Sequence, residues 1–188
     1  LISQCDEIYH LAAPVGVKWI MEHPIQTILE NMRGIDIILE LADKYKRKIL
    51  IASTSEVYGK HIEHSLGEDD NRVMGSVKNH RWAYANTKTM DEFLSLAYYK
   101  EHKLPVIVVR LFNTVGPRQT GQYGMVIPSF VKRALAGEDI HVYGDGTQTR
   151  SFTYVDDVVG AMQCLMKEQK AYGDIFNIGN GEETSILE

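Results

Sequence analysis

Two short stretches carry side chains whose types and spacing suit proton transfer. They are Thr54-Ser55-Glu56-Val57-Tyr58-Gly59 and Tyr84-Ala85-Asn86-Thr87-Lys88. The first follows an apolar run over residues 48–53 that reads as a buried parallel strand, which puts Thr54 and Glu56 at its carboxyl end. Open α/β sheets bind their ligands at that end. The second opens a helical pattern continuing through Met90, Phe93, Leu94 and Leu96 to Tyr98. Tyr84 and Lys88 are four residues apart and so share one helix face. A hydroxyl, a carboxylate, a phenol and an ammonium are thus offered to one cleft. The combination reads as an oxidoreductase-type site. A solvated Tyr–Lys helix pair is the bland alternative for Tyr84 and Lys88, and a cap or salt bridge is the bland alternative for Glu56.

The elements that must position these groups follow in chain order. Residues 7–13 read as a strand ending in the small pair Ala12-Ala13, where a flat ligand group could approach the backbone, or as an ordinary strand end. Pro24 starts a helix through Ile25, Ile28, Leu29, Met32, Ile35, Ile38, Leu39 and Ala42. Gly34 inside it fits either close packing or a tolerated glycine. Residues 61–81 are polar and read as a long loop, functional or simply solvated. A second buried strand spans 105–112, and 113–118 is a turn-forming cluster. Residues 128–136 read as a short helix closed by Gly137. A small strand at 140–143 precedes a hairpin-type turn at Gly144-Asp145-Gly146. A helix over 155–169 carries Asp156 and Asp157 in its first turn, and 174–179 is a last strand.

Alternation of strands and helices predicts an α/β fold, a doubly wound parallel sheet of Rossmann-like type. The G-x-G-x-x-G phosphate loop expected after a first strand is missing. Gly144-Asp145-Gly146 and Gly179-Asn180-Gly181 lack the third glycine and read as turns. The expectation is that the first βαβ unit lies before Leu1 and that the chain is a fragment. Residues 1–114 are expected to belong to the dinucleotide-binding domain. Residues 115–154 form a smaller interleaved substrate-binding portion, and 155–188 return to the first domain.

The chain has 188 residues, enough for a sizeable core. Its formal net charge of -5 argues against nucleic acid or an anionic membrane as the main partner. The two cysteines, Cys5 and Cys164, make no disulfide framework. A reducing, cytoplasmic setting is the simpler expectation. No apolar run approaches the length of about 20 residues that spans a bilayer.

His10-Leu11-Ala12-Ala13, residues 54–59, Tyr84-x-x-x-Lys88, residues 110–118 and residues 144–152 together resemble the extended short-chain dehydrogenase/reductase family. More narrowly, they resemble its NAD-dependent epimerase/dehydratase enzymes acting on nucleotide sugars. The likeness runs in order over essentially the whole chain. It implies tightly held NAD, no metal, a UDP-sugar or other nucleotide-sugar substrate, and a homodimer formed through two helices per subunit.

The resemblance also implies roles. The family reaction begins with oxidation at sugar C4, the O4 proton passing to a base while C4 gives a hydride to the nicotinamide. Tyr84 is the base, its phenol eased toward phenolate by Lys88 and the oxidised nicotinamide. Lys88 also bonds the nicotinamide ribose, and Thr54 bonds O4. Leu11, Ala12, Ala13 and Leu111 would line the cofactor. Ser55, Asn113, Arg118, Tyr143, Gln148 and Arg150 would contact the substrate, Arg150 through its diphosphate or a carboxylate. Family members that decarboxylate UDP-glucuronate carry Thr-Ser-Glu, and several carry an Arg-Trp pair like Arg81-Trp82. Simple 4-epimerases more often have a small residue in place of Glu56. The implied reaction is C4 oxidation followed by a C5-directed step, decarboxylation or dehydration. A UDP-hexose 4-epimerase is the rival, and a non-catalytic NAD-sensing module the remote alternative.

Overall fold

A computed structural model describes residues 1–60, 66–121 and 125–188. Four strands, β1 (Glu7–His10), β2 (Lys48–Thr54), β3 (Val106–Leu111) and β7 (Asp174–Ile178), form a parallel sheet in that order. The two inner strands are nearly continuous apolar runs, as burial on both faces requires. Ile49, Leu50, Ile51 and Val106 to Val109 are all fully buried.

Helices cover both faces of the sheet. On one side Ile35, Leu39 and Ala42 of α2 (Pro24–Tyr45) pack with Ile8, Ile49, Ile51, Val106 and Val108. On the other, Val158, Met162 and Met166 of α5 (Val155–Lys167) pack with Leu50, Ile107 and Val109. The doubly wound arrangement expected from the sequence is therefore present. Pro24 occupies the first turn of α2, and Lys46 ends the helix in the left-handed region (φ 51). Gly34 faces open space, so close packing does not account for it within this chain.

The helix α3 (Trp82–His102) lies beside α2 and buries an unusual face. Its buried set is Trp82, Ala85, Thr87, Lys88, Asp91, Glu92 and Ser95, mostly polar or charged. Leu94, Tyr98 and Tyr99 supply its apolar contact with the core. Ionisable side chains are rarely buried without partners, and here Lys88 pairs with Asp91 and Glu92 with Arg110.

Several local expectations needed correction. Part of the predicted turn cluster at 113–118 is a strand, β4 (Asn113–Val115), parallel to β6 (Phe152–Tyr154). Thr114 and Val115 are β-branched and suit that pairing. The turn follows at Pro117 and Arg118, Arg118 being left-handed at φ 66. The predicted strand at 140–143 is irregular, with Tyr143 88% exposed and no pairing strand among the described residues. Gly144 and Gly146 make a turn with φ 76 and 75, where Asp145 accepts from the backbone and hydroxyl of Thr147. It leads into β5 (Thr149–Arg150), which pairs antiparallel with an unforeseen final strand, β8 (Thr184–Ser185). The helices α1 (Val17–Glu22) and α4 (Val126–Ala136) are the remaining α-helices among the described residues; Gly137 closes α4 as expected, with φ 67. In the predicted loop over 61–81, residues 61–65 lie outside the described residues. The remainder is irregular apart from a bridge between Val73 and Gly59.

Candidate active site

The site lies at the carboxyl ends of β1, β2 and β3. Thr54 is the last residue of β2 and is extended, so the chain must turn at once. Its Oγ1 accepts the Glu56 N–H at 3.2 Å and caps a single 3₁₀ turn, Ser55–Tyr58. The Thr54 hydroxyl proton is left free for another acceptor. Gly59 ends the turn with φ 71, and a Cβ there would collide with the Val73 carbonyl. The turn packs on α3 and sets Glu56 near Tyr84.

The electrostatics show which groups share the cleft. Burial pushes the Glu56 carboxyl above its ordinary range, and the charge of Arg81 partly offsets this. Tyr84 is pushed up by burial first, then by the negative charges of Glu56 and Asp91. The expected easing of the phenol by Lys88 is thus not what the chain alone provides. Lys88 instead donates to Asp91 Oδ2 at 2.7 Å, with the two side chains only 3% and 2% exposed. His10, at the end of β1, is held below its usual value by burial and by the Lys88 charge, so the ammonium lies near the end of that strand.

A second buried set fixes the frame, and sequence reading missed it. Arg110 of β3 is 4% exposed. It forms a two-pronged pair with Glu92, Nε to Oε1 at 2.9 Å and Nη2 to Oε2 at 2.8 Å. Its Nη1 donates to the Tyr58 hydroxyl and to the Glu68 carbonyl, both at 2.8 Å. Tyr58 in turn donates to Asn177 Oδ1 at 2.7 Å, and Ser53 donates to Glu92 Oε1 at 2.6 Å. The Asn177 side chain donates to the Leu66 carbonyl at 2.8 Å, while its backbone N–H donates to Glu68 Oε1 at 2.8 Å. Strands β2, β3 and β7, helix α3, the 3₁₀ turn and the loop after it are thereby joined. The one available signal was a lone arginine inside the apolar run of β3, since buried charges are paired.

The remaining predicted residues are distributed as follows. Leu11 and Ala12 are exposed and Ala13 half-buried in the irregular segment beyond β1; Leu111 is half-buried at the end of β3, and Ser55 in the 3₁₀ turn. Asn113 is exposed and donates to the Ser151 carbonyl at 3.0 Å. Gln148 donates to the Tyr143 carbonyl at 2.8 Å, and Arg150 to the Thr149 carbonyl at 2.7 Å. Arg118, Tyr143 and Arg150 are exposed. Among the described residues, no hydrogen bond or ion pair joins these substrate candidates to Thr54, Glu56, Tyr84 or Lys88.

A dinucleotide fits the first group on chemical grounds. An ammonium has three donors, and Lys88 spends one on Asp91 among the described residues. The others would suit the two hydroxyls of a ribose placed at the end of β1.

Comparison with known proteins bears on the family and the fold. The Bacillus cytotoxicus UDP-N-acetyl-alpha-D-glucosaminuronate decarboxylase is 49% identical over 189 residues, covering 100% of this chain and 58% of that protein. UDP-glucuronic acid decarboxylase 1 of Danio rerio is 40% identical over 190 residues, covering 100% and 44%. The chain therefore spans roughly half the length of these relatives. Among solved structures, the UDP-glucuronic acid 4-epimerase of Bacillus cereus, in complex with UDP-glucuronic acid and NAD, superposes with a TM-score of 0.85 at 33% identity. That match covers 99% of this chain and 59% of the other. The Bacillus anthracis dTDP-glucose 4,6-dehydratase, in complex with NAD, gives 0.82 at 30% identity, covering 97% and 54%. The NAD dependent epimerase/dehydratase family model matches residues 1–179, nearly the whole chain, and this chain belongs to that family.

Proposed function

We propose that the protein is an NAD-dependent decarboxylase of a nucleotide-linked hexuronic acid, a UDP-hexuronate. The observation that carries this reading is Glu56, a half-buried carboxyl close enough to Tyr84 to raise its phenol. The decarboxylases of Bacillus cytotoxicus and Danio rerio support the choice of substrate class.

NAD, when bound, supplies reversible oxidation at the sugar C4 carbon. Tyr84 takes the O4 proton as that carbon is oxidised, and the Thr54 hydroxyl donates to O4 and holds it in line. Lys88, held by Asp91, orients the cofactor ribose. A carbonyl at C4 makes the C5 carboxylate a β-keto acid. The C5–carboxylate bond then breaks, carbon dioxide leaves, and the electron pair moves toward O4, where Tyr84 can return a proton. Glu56 orients the C5 substituents and handles the proton that replaces carbon dioxide at C5. Arg81 offsets the repulsion between Glu56 and an incoming carboxylate.

In this reading residues 1–114 and 155–188 build the cofactor portion and 115–154 the substrate portion. Asn113, Arg118, Tyr143, Gln148 and Arg150 meet the nucleotide and its diphosphate. The protein forms a homodimer through α2 and α3, whose Ile25, Leu29, Ile37, Met90 and Phe93 are exposed. No described helix is long and apolar enough to cross a membrane, and a cytoplasmic setting suits a soluble sugar nucleotide.

A 4-epimerase acting on the same uronate is the second reading, favoured by the match to the Bacillus cereus epimerase. The full-length protein with NAD, given UDP-glucuronate, UDP-N-acetylglucosaminuronate and UDP-glucose in turn, separates the two by product mass. Loss of carbon dioxide from a uronate is expected. An unchanged mass with inverted C4 would establish the epimerase, and loss of water a dehydratase.

A further inference from the structure

Asp91 stands outside every role described so far. It lies one turn beyond Lys88 on the polar face of α3, and its carboxylate makes one side-chain contact among the described residues, Lys88 Nζ at 2.7 Å. Its second oxygen, Oδ1, is buried and accepts no hydrogen bond among the described residues. The adjacent Glu92 is fully committed to Arg110 and Ser53. A buried carboxylate oxygen left without a donor costs stability, so the pair with Lys88 is held at an expense that its own hydrogen bonds do not fully offset.

We propose that Asp91 is a positioning residue for the catalytic pair: it fixes the Lys88 ammonium at the end of β1 and offsets its charge beside Tyr84. The reading rests on the roles proposed above for Tyr84 and Lys88. The charge balance around the phenol is consistent with it. Glu56 faces Tyr84 from the 3₁₀ turn, with Arg81 offsetting Glu56, while Asp91 acts from within α3, its own carboxyl pushed up by burial first, with Lys88 opposing the rise and Glu92 adding to it. His10 faces Lys88 from β1. With the two carboxylates and the burial opposing ionisation, Lys88 alone does not bring the phenol down. An oxidised nicotinamide carries the missing positive charge and the reduced form does not. Asp91 thereby ties the strength of the base to the cofactor's redox state.

The test uses the full-length protein and Asp91→Asn, each with and without Tyr84→Phe. In each background, the tyrosinate absorbance lost on Tyr84→Phe isolates one phenol as pH is raised. Removing a nearby like charge should shift that ionisation down by about one pH unit, as close charge pairs do. The acid limb of kcat/KM should move down with it. A folded Asp91→Asn protein whose Tyr84 ionises where the wild type does would overturn the proposal. If no nucleotide sugar is turned over, the decarboxylase reading fails while the spectroscopic shift still decides this one. Should Asp91→Asn not fold, Asp91→Glu keeps the charge but displaces it. The ionisation should then stay within a few tenths of a unit while kcat falls about tenfold or more. A wild-type kcat in that variant would overturn the positioning role.

Discussion

Glu92 lies one helical turn beyond Lys88 and clamps Arg110 through both carboxylate oxygens, at 2.9 and 2.8 Å. The pair spans the gap between α3, which carries Tyr84 and Lys88, and β3, which lies beside the strand ending in Thr54. Through Tyr58 it also reaches the turn that carries Glu56. The spacing between the two halves of the site is therefore set by a buried ion pair.

Glu92→Gln should consequently be strongly destabilising. It leaves the Arg110 guanidinium buried without a counter-charge, and breaking such a pair costs about 3–5 kcal/mol. Urea unfolding of the full-length protein measures it. A loss below about 1 kcal/mol, typical of an exposed pair, would mean that solvent reaches Arg110.

Tyr84→Phe should reduce kcat by at least the ~10²–10⁴ that a positioned general base contributes. The ring is kept, so packing in the first turn of α3 and nucleotide-sugar affinity should change little. Rates within about tenfold of wild type, below that range, would remove Tyr84 from the proton-transfer role.

The sheet and its helices were legible because their signals are long and periodic. The β-branched run before Arg110 and the three- and four-residue spacing after Pro24 leave few alternatives. The site was legible in part, since Thr54, Glu56, Tyr84 and Lys88 are local to strand ends and one helix turn. Two things were not legible. Short strands such as Asn113–Val115 and Thr184–Ser185 depend on distant partners rather than on their own few residues. Likewise, the state of Tyr84 depends on Asp91 and Glu56, whose proximity and burial exist only after folding.

Glu56 should make the fold pH-sensitive in a defined direction. Burial raises its folded-state value above the ordinary 4.5, so the native state holds this proton more tightly than the unfolded chain does. The contribution is favourable below about 4.5 and is lost as pH rises through the raised folded value. Glu56→Gln abolishes that dependence. Its stability relative to wild type should therefore increase across the window just above 4.5 and then level off. Denaturation midpoints of both proteins at a series of pH values check this, and a stability of the glutamine variant that falls relative to wild type with rising pH would contradict the burial of Glu56.

The same substitution separates the rival reactions. In Glu56→Gln the residues Thr54, Tyr84 and Lys88 remain, so oxidation at C4 should still proceed. The amide cannot accept or return a proton as a carboxylate does. A C5-directed reaction should then stall at the 4-keto sugar, and reduced-nicotinamide absorbance should accumulate when the variant is mixed with a UDP-hexuronate. In a 4-epimerase the keto sugar need only present its other face, and Glu56 has no proton to move. That enzyme would turn over at close to the wild-type rate, with no accumulation. Single-turnover mixing reads both quantities in one trace. Normal turnover of the uronate by the glutamine variant would rule out a chemical role for Glu56 at C5 and leave the epimerase reading in possession of the site.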